Sequence, residues 1–125
     1  MLTLNELEKA VLDEMVLQAS PDLAQSLRKQ IDSATVLDRT NSGSGFVTRM
    51  GVENIPMPID KMEITVGANI DGFEHEMIFT LFVRGGVIRS LEGTTIRDST
   101  VGVDFSQVRF VVSKVPTVWV TPRKI

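Results

Sequence analysis

The apolar residues of this chain change their spacing near Ser33, and that change decides the fold class. Before Ser33 they recur every three or four positions, as on one face of a helix, and after it they recur every second position, as in a half-buried strand. We therefore predict an α+β fold, with an N-terminal helical hairpin in residues 1–33 packed on an antiparallel meander of about five or six strands in residues 34–125.

The first 33 residues contain two helix starts. Thr3 and Glu6 have the spacing of a capping box, which predicts a helix from about Leu4 to Ala19. Ser20 followed by Pro21 predicts a second helix that ends near Asp32. The apolar face that the two helices lay on the sheet should consist of Leu7, Val11, Met15, Leu23, Leu27 and Ile31.

The middle of the chain reads as a series of hairpins. Strict alternation from Met62 to Ile70 predicts a strand with one buried face, and Asp71-Gly72 predicts the turn that follows it. The next segment, Met77 to Val83, is apolar on both sides, so we expect a central strand. Gly85-Gly86 predicts another turn, into a strand from Val87 to Leu91 that Gly93 ends.

The C-terminal third gives weaker signals. Thr94 to Asp104 has no clean period and predicts a loop or a ragged edge strand, whereas Val108 to Val115 and Val118 to Thr121 are strand-like. Pro116 separates these two segments and suits an edge position or a bend.

Composition limits the classes of function. A chain of 125 residues forms one domain but not two of full size, and without cysteine it has no disulfide, thiolate metal site or cysteine nucleophile. Acidic residues within the first 14 positions oppose a secretory leader, and no apolar run approaches the roughly 20 residues of a membrane helix. We expect a cytoplasmic protein that needs no membrane, metal or cofactor.

The candidate catalytic residues are Glu92, Asp98 and His75. Glu92 lies at a predicted strand end beside hydroxyl side chains and Asp98, where a carboxylate can act as a general base. It can equally hydrogen-bond the backbone of its own turn, or pair with Arg89 or Arg97. His75 lies between two glutamates that alternation places on the opposite face, so the sequence predicts no metal site there.

A glycine-rich segment is the first candidate binding site. Ser42, Gly43, Ser44 and Gly45 have the composition of a loop that cradles a phosphate. Such cradles open a helix, whereas Phe46 begins a strand-like segment, so a turn between two short strands is the favoured interpretation.

Trp119 is the second candidate. It lies in a C-terminal region, residues 105–125, that has four basic residues and no acidic one. Aromatic and basic residues together suit single-stranded nucleic acid, but four charges make a thin patch, so nucleic acid is disfavoured. Two short helices cover one face of the sheet, and we expect the C-terminal strands to cover the other or to form the interface of a homodimer.

Three segments resemble a group of small bacterial cytoplasmic proteins without an assigned activity. Gly43-Ser44-Gly45-Phe46-Val47-Thr48 matches the Gly-x-Gly-aromatic-x-Thr segment of that group, Phe82 to Ile88 matches its hairpin, and Leu91-Glu92-Gly93 matches its strand end. The resemblance covers roughly residues 5–98. It implies the order of elements described above and a binding or regulatory role, and it supplies no reaction.

Two classes of function follow. The first is a non-catalytic interaction or binding domain, for example an immunity-like or accessory protein with a protein partner. The alternative is a small enzyme that uses Glu92 with Asp98 or His75, in a pocket near the loop from Asn41 to Gly45.

Overall fold

The computed structural model describes residues 3–53, 56–113 and 117–122. Two helices come first, α1 (Glu6–Gln18) and α2 (Pro21–Asp32). The strands that follow are β1 (Thr35–Asn41), β2 (Gly45–Gly51), β3 (Ile59–Ile70), β4 (Met77–Arg84), β5 (Val87–Thr94), β6 (Phe110–Val112) and β7 (Thr117–Pro122). The α+β class predicted from the change of period is confirmed.

One antiparallel sheet contains all seven strands, in the order β1-β2-β5-β4-β3 with β6 and β7 both beside β3. β6 pairs with the end of β3 near Ile70, and β7 pairs with its first half, so the sheet is six positions wide. The turns at Asp71-Gly72 and Gly85-Gly86 join β3, β4 and β5 as predicted, and β4 is central. β2 pairs with β5 instead of β3, so the chain crosses the sheet after β2.

The alternation in β3 separates two faces of the sheet. Its apolar positions are all buried, namely Met62, Ile64, Val66, Ala68 and Ile70. We call this face, on which the helices pack, the inner face. The apolar face predicted for the helices is confirmed, because five of its six residues are buried and Leu23 is half-buried against the same core.

The start of α1 differs from the prediction. The N-cap is Asn5, not Thr3, and the reciprocal partner is Glu8, not Glu6. The Asn5 side chain accepts the Glu8 backbone N–H at 2.9 Å, and the Glu8 carboxylate accepts the Asn5 backbone N–H at 2.8 Å. α1 therefore begins at Glu6, two residues later than the sequence indicated.

The end of β5 also differs, because Gly93 lies within the strand. It pairs with Phe46 of β2 and with Phe79 of β4. An added Cβ at this position would lie 2.7 Å from Met77 Cε and 2.9 Å from Phe79 Cε1. Glycine lets these inner-face side chains close over the backbone, so the residue permits packing here and does not end the strand.

The C-terminal strands lie within the sheet, and their lengths differ from the prediction, because β6 is shorter and β7 (Thr117–Pro122) extends one residue beyond Val118 to Thr121 at each end. The segment predicted as a strand over Val108 to Val115 forms one only at Phe110–Val112, and residues 114–116 lie outside the described residues. β7 pairs with β3 of the same chain, so it extends the sheet and does not fold back over the second face.

Candidate functional site

The second face of the sheet, which we call the outer face, is not covered by any helix in the described parts of the chain. On it lie the residues between the buried positions of each strand, and these are half-buried or exposed at Val47, Thr80, Phe82 and Glu92. The outer face carries both apolar and charged side chains, whereas the inner face is mostly apolar, with Thr48 and Arg39 as polar members that bind Glu8 of α1. This arrangement leaves the outer face accessible to a partner.

A depression of about 550 Å³ lies on the outer face around Phe82, beside the β4–β5 turn, and we call it the central depression because its three strands are interior strands of the sheet. Three strands supply its charged walls, which are Lys61 and Glu63 from β3, Arg84 from β4, and Arg89 and Glu92 from β5. The register explains the grouping, because Glu63 pairs with Phe82 and Phe82 pairs with Ser90. The result is a half-buried aromatic ring surrounded by three basic and two acidic side chains.

A second depression, of about 280 Å³, adjoins the first toward β1. The two share Arg89 and Ser90, and the second adds Leu37 and Val47 to the apolar surface. Leu37 is 56% exposed although it is large and apolar. A contiguous surface with an apolar centre and polar surroundings has the composition of a protein–protein interface.

An ion pair between Asp38 of β1 and Arg49 of β2 lies at the β1 side of the outer face. Both Asp38 oxygens accept hydrogen bonds from Arg49 Nε, at 3.0 and 2.8 Å, and Arg49 Nη2 also donates to Asp38. The Arg49 hydrogen bonds hold the pKa of Asp38 below its ordinary value. These two charges therefore satisfy each other at the β1 side of the face.

Glu92 lies in the middle of the outer face and not at the strand end that the sequence predicts for it. Because β5 continues to Thr94, Glu92 pairs with Val47 on one side and with Thr80 on the other. It lines the central depression together with Arg89. Neither Asp98 nor His75 lines that depression.

Asp98 and His75 are neighbours at a different place, after the turn between β3 and β4. The Asp98 carboxylate accepts the backbone N–H groups of Glu74 at 2.9 Å and of His75 at 3.1 Å. His75 Nδ1 lies 3.6 Å from Asp98 Oδ2. The hydrogen bond from Glu74 N–H, then those from His75, hold the pKa of Asp98 below its ordinary value against an opposing effect of burial.

The lowered pKa of Asp98 predicts a stabilising contribution that acid removes. The aspartate pKa of an unfolded chain is about 3.9, so the contribution is fully present above that pH and is lost as the pH falls through the lower folded value. We expect Asp98→Asn to destabilise the protein near neutral pH and the difference from wild type to shrink below about pH 4.

Urea unfolding from about pH 6 to pH 3 measures this difference. Asp60→Asn, at an exposed position of β3, is the matched control and should change the unfolding midpoint little at any pH. A wild-type advantage over Asp98→Asn that stays constant down to the lowest pH contradicts the assignment.

The loop at Ser42–Gly45 is fastened to a neighbouring loop. The Gly45 N–H donates to Thr100 Oγ1 at 3.0 Å, and the Gly43 N–H donates to Asn41 Oδ1 at 2.9 Å. In return Thr100 N–H donates to Gly43 O, and the Thr95 N–H and hydroxyl donate to Ser44 O. The N–H groups of Gly43 and Gly45, which a phosphate cradle would use, therefore already have acceptors within the chain. A ligand role for the loop stays a prediction.

The remaining candidate is Trp119. Its backbone in β7 pairs with Glu63, next to the central depression, while its side chain lies outside what the structure describes. Lys114, Arg123 and Lys124 of the basic C-terminal region also lie outside the described residues.

Sequence reasoning missed Lys61, Glu63, Phe82 and Arg84 as site residues. The alternation of β3 already placed Glu63 opposite the buried positions. Phe82, however, was interpreted as one more apolar residue of a central strand. The available signal was an aromatic residue at a position that alternation assigns to the polar face.

The fold and this surface define an α+β protein with an open sheet face. No protein-family model, curated protein or solved structure matches the chain, so its resemblance to small bacterial proteins stays a prediction. Among the described residues, no helix is long and apolar enough to cross a membrane. The same residues contain no group of three or more acidic or histidine side chains arranged to hold a metal ion.

Proposed function

We propose that this chain is a non-catalytic interaction domain and that it binds a protein partner through the outer face of its sheet, around Phe82. The observation that carries the proposal is the central depression itself, with a half-buried aromatic floor and walls of both charge signs. Aromatic and arginine side chains contribute most to binding energy at protein interfaces, and Arg84 and Arg89 adjoin Phe82 here.

The mixture of charges favours a protein over a polyanion. Three basic and two acidic side chains line the depression, a sum of 3 − 2 = +1. Nucleic acid selects basic surfaces, and Glu63 and Glu92 would repel its phosphates. A folded protein offers charges of both signs and can pair with both.

The positions of the candidate catalytic residues also support an interaction domain. An enzyme based on Glu92 with Asp98 or His75 needs their side chains in one pocket. Glu92 lines the outer-face depression, whereas Asp98 is engaged by the backbone of Glu74 and His75. Asp98 therefore holds the backbone of the segment before β4 in place, and Glu92 belongs to the proposed partner surface.

The proposal extends to location and role. Cytoplasmic location and an immunity-like or accessory role remain part of it. A composition without cysteine supports this location, since the fold needs no oxidising compartment. Both the resemblance to bacterial proteins and the proposed partner surface fit a protein that acts by binding another.

Partner capture with matched charge variants tests the proposed function. Lys61→Glu with Arg84→Glu reverses two charges of the depression, and Lys9→Glu with Lys29→Glu reverses two exposed charges of the helices by the same amount. We expect wild type and the helix variant to retain the same protein from a lysate of the native host, and the outer-face variant to lose it at least about tenfold.

Quantitative mass spectrometry provides the readout, and thermal unfolding verifies that both variants are folded. Retention of the same proteins at the same level by all three chains would overturn the proposal. Loss of the protein from both variants would also overturn it, because binding would then depend on net charge and not on the outer face.

A further inference from the structure

We infer that the partner at the outer face is a second copy of this chain, docked outer face to outer face about a two-fold axis that crosses β3 between Lys61 and Glu63. This inference rests on the proposed function, which requires only some protein at that surface. It follows from the order in which charges and the aromatic ring are placed along two adjacent strands.

The first observation concerns β3. Lys61 and Glu63 are both exposed and lie two residues apart, so their side chains project from the same face, about 7 Å from each other along the strand. A two-fold axis that crosses the strand midway between them exchanges their positions in the facing copy. Each Lys61 then lies opposite Glu63 of the other copy, and the symmetry forms two ion pairs at once.

The second observation concerns β4, which pairs with β3 in register. Phe82 pairs with Glu63 and Arg84 pairs with Lys61, so the same axis also passes between Phe82 and Arg84. It places each Arg84 over Phe82 of the facing copy. An arginine over an aromatic face gains cation–π attraction, and this contact too occurs twice.

Two adjacent strands therefore carry complementary pairs with the same spacing and the same axis. On β3 the pair is basic and acidic, and on β4 it is basic and aromatic. Arg49 and Asp38 do not compete for these contacts, because they bind each other at the β1 side. These four positions on β3 and β4 are self-complementary, as the contacts beside the axis of an isologous dimer must be.

Charge reversal on β3 gives a sharp test. Lys61→Glu alone places acidic groups against Glu63, and Glu63→Lys alone places basic groups against Lys61. We expect purified wild type to sediment with about twice the 13.8 kDa chain mass at concentrations up to roughly 200 µM, and each single variant to dimerise at least about tenfold more weakly.

Mixing the two single variants is the decisive experiment. One chain then presents two acidic groups and the other two basic groups, so every facing pair is attractive and a heterodimer should form. The double variant Lys61→Glu with Glu63→Lys restores both pairs and should dimerise as wild type does. Lys9→Glu, on α1, is the control and should leave the dimer unchanged.

A wild-type monomer throughout this range overturns the inference, as does a dimer that neither single variant weakens, or a mixture that fails to associate. A different combination of results would contradict the proposed function. If the chain is monomeric but the outer-face variant still loses a captured protein, the surface binds a different partner. If capture is unaffected as well, both proposals are wrong.

Discussion

Replacing Glu8 by alanine is expected to lower the free energy of unfolding by about 1–3 kcal/mol, the cost of leaving a buried hydrogen-bond donor without its acceptor. Glu8 is 0% exposed. Its Oε1 accepts hydrogen bonds from the Asn5 N–H at 2.8 Å and from Arg39 Nη2 at 2.5 Å, and its Oε2 accepts from Arg39 Nε at 3.1 Å and from Thr48 Oγ1 at 2.5 Å. The variant removes the acceptor of the buried Thr48 hydroxyl and of the Asn5 N–H, whereas Arg39 is exposed and keeps its hydrogen bond to Thr3 O at 2.7 Å.

Glu6→Ala is the matched control for this prediction. Glu6 lies in the same first turn of α1, but its side chain is 82% exposed. Its ion-pair contact is from Oε1 to Lys9 Nζ, at 3.6 Å. An exposed pair of this kind contributes at most about 1 kcal/mol. Urea unfolding of the two variants compares the sites directly, and equal losses would show that the Glu8 network adds nothing to the fold.

Glu8 also shows why the helix start was assigned to the wrong residue. Thr3 with Glu6 and Asn5 with Glu8 both have capping-box spacing, and local sequence does not choose between them. Arg39 and Thr48 stabilise the cap at Asn5, because both donate hydrogen bonds to the Glu8 carboxylate. They lie 31 and 40 positions further along the chain than Glu8. A contact of that range depends on the finished fold, so no local pattern reports it.

In the sheet, too, local sequence signals predicted some features correctly and missed the ones that depend on distant contacts. Alternation in β3 correctly predicted the buried residues, and the Asp71-Gly72 and Gly85-Gly86 turns correctly predicted which strands are neighbours. The pairing of β2 with β5 was not predictable, because no turn joins them. Gly93 lies within that pairing, where Phe46 and Phe79 meet over it, so a local interpretation mistook a packing glycine for a strand end.

The candidate site does not depend on the pairing of β2 with β5, since the two predicted turns already join the three strands that form it. Lys61, Phe82 and Glu92 come from three strands and line one depression only because β5, β4 and β3 lie side by side. Taken singly, each of these residues is an ordinary polar or apolar position of its strand. The sequence therefore predicted a sheet face that the helices leave uncovered, to be covered by the C-terminal strands or by a second copy, but not where on that face a partner would bind.

Leu27→Ala is expected to lower the free energy of unfolding by about 2–5 kcal/mol, the range for truncating a fully buried leucine. Leu27 is 0% exposed and belongs to the apolar face of α2, so alanine leaves a cavity between the helix and the inner face of the sheet. The urea midpoint should fall while the slope of the transition is unchanged, since the same surface is exposed on unfolding.

Leu17→Ala makes the same chemical change on the other helix at a residue that is 77% exposed, and it should alter the free energy of unfolding by less than about 0.5 kcal/mol. Helix propensity differs by less than about 0.7 kcal/mol between leucine and alanine, so it cannot account for a difference of several kcal/mol between the two variants. The difference therefore measures how firmly the helical pair is packed on the sheet. Equal losses would mean that α2 is not held against the inner face.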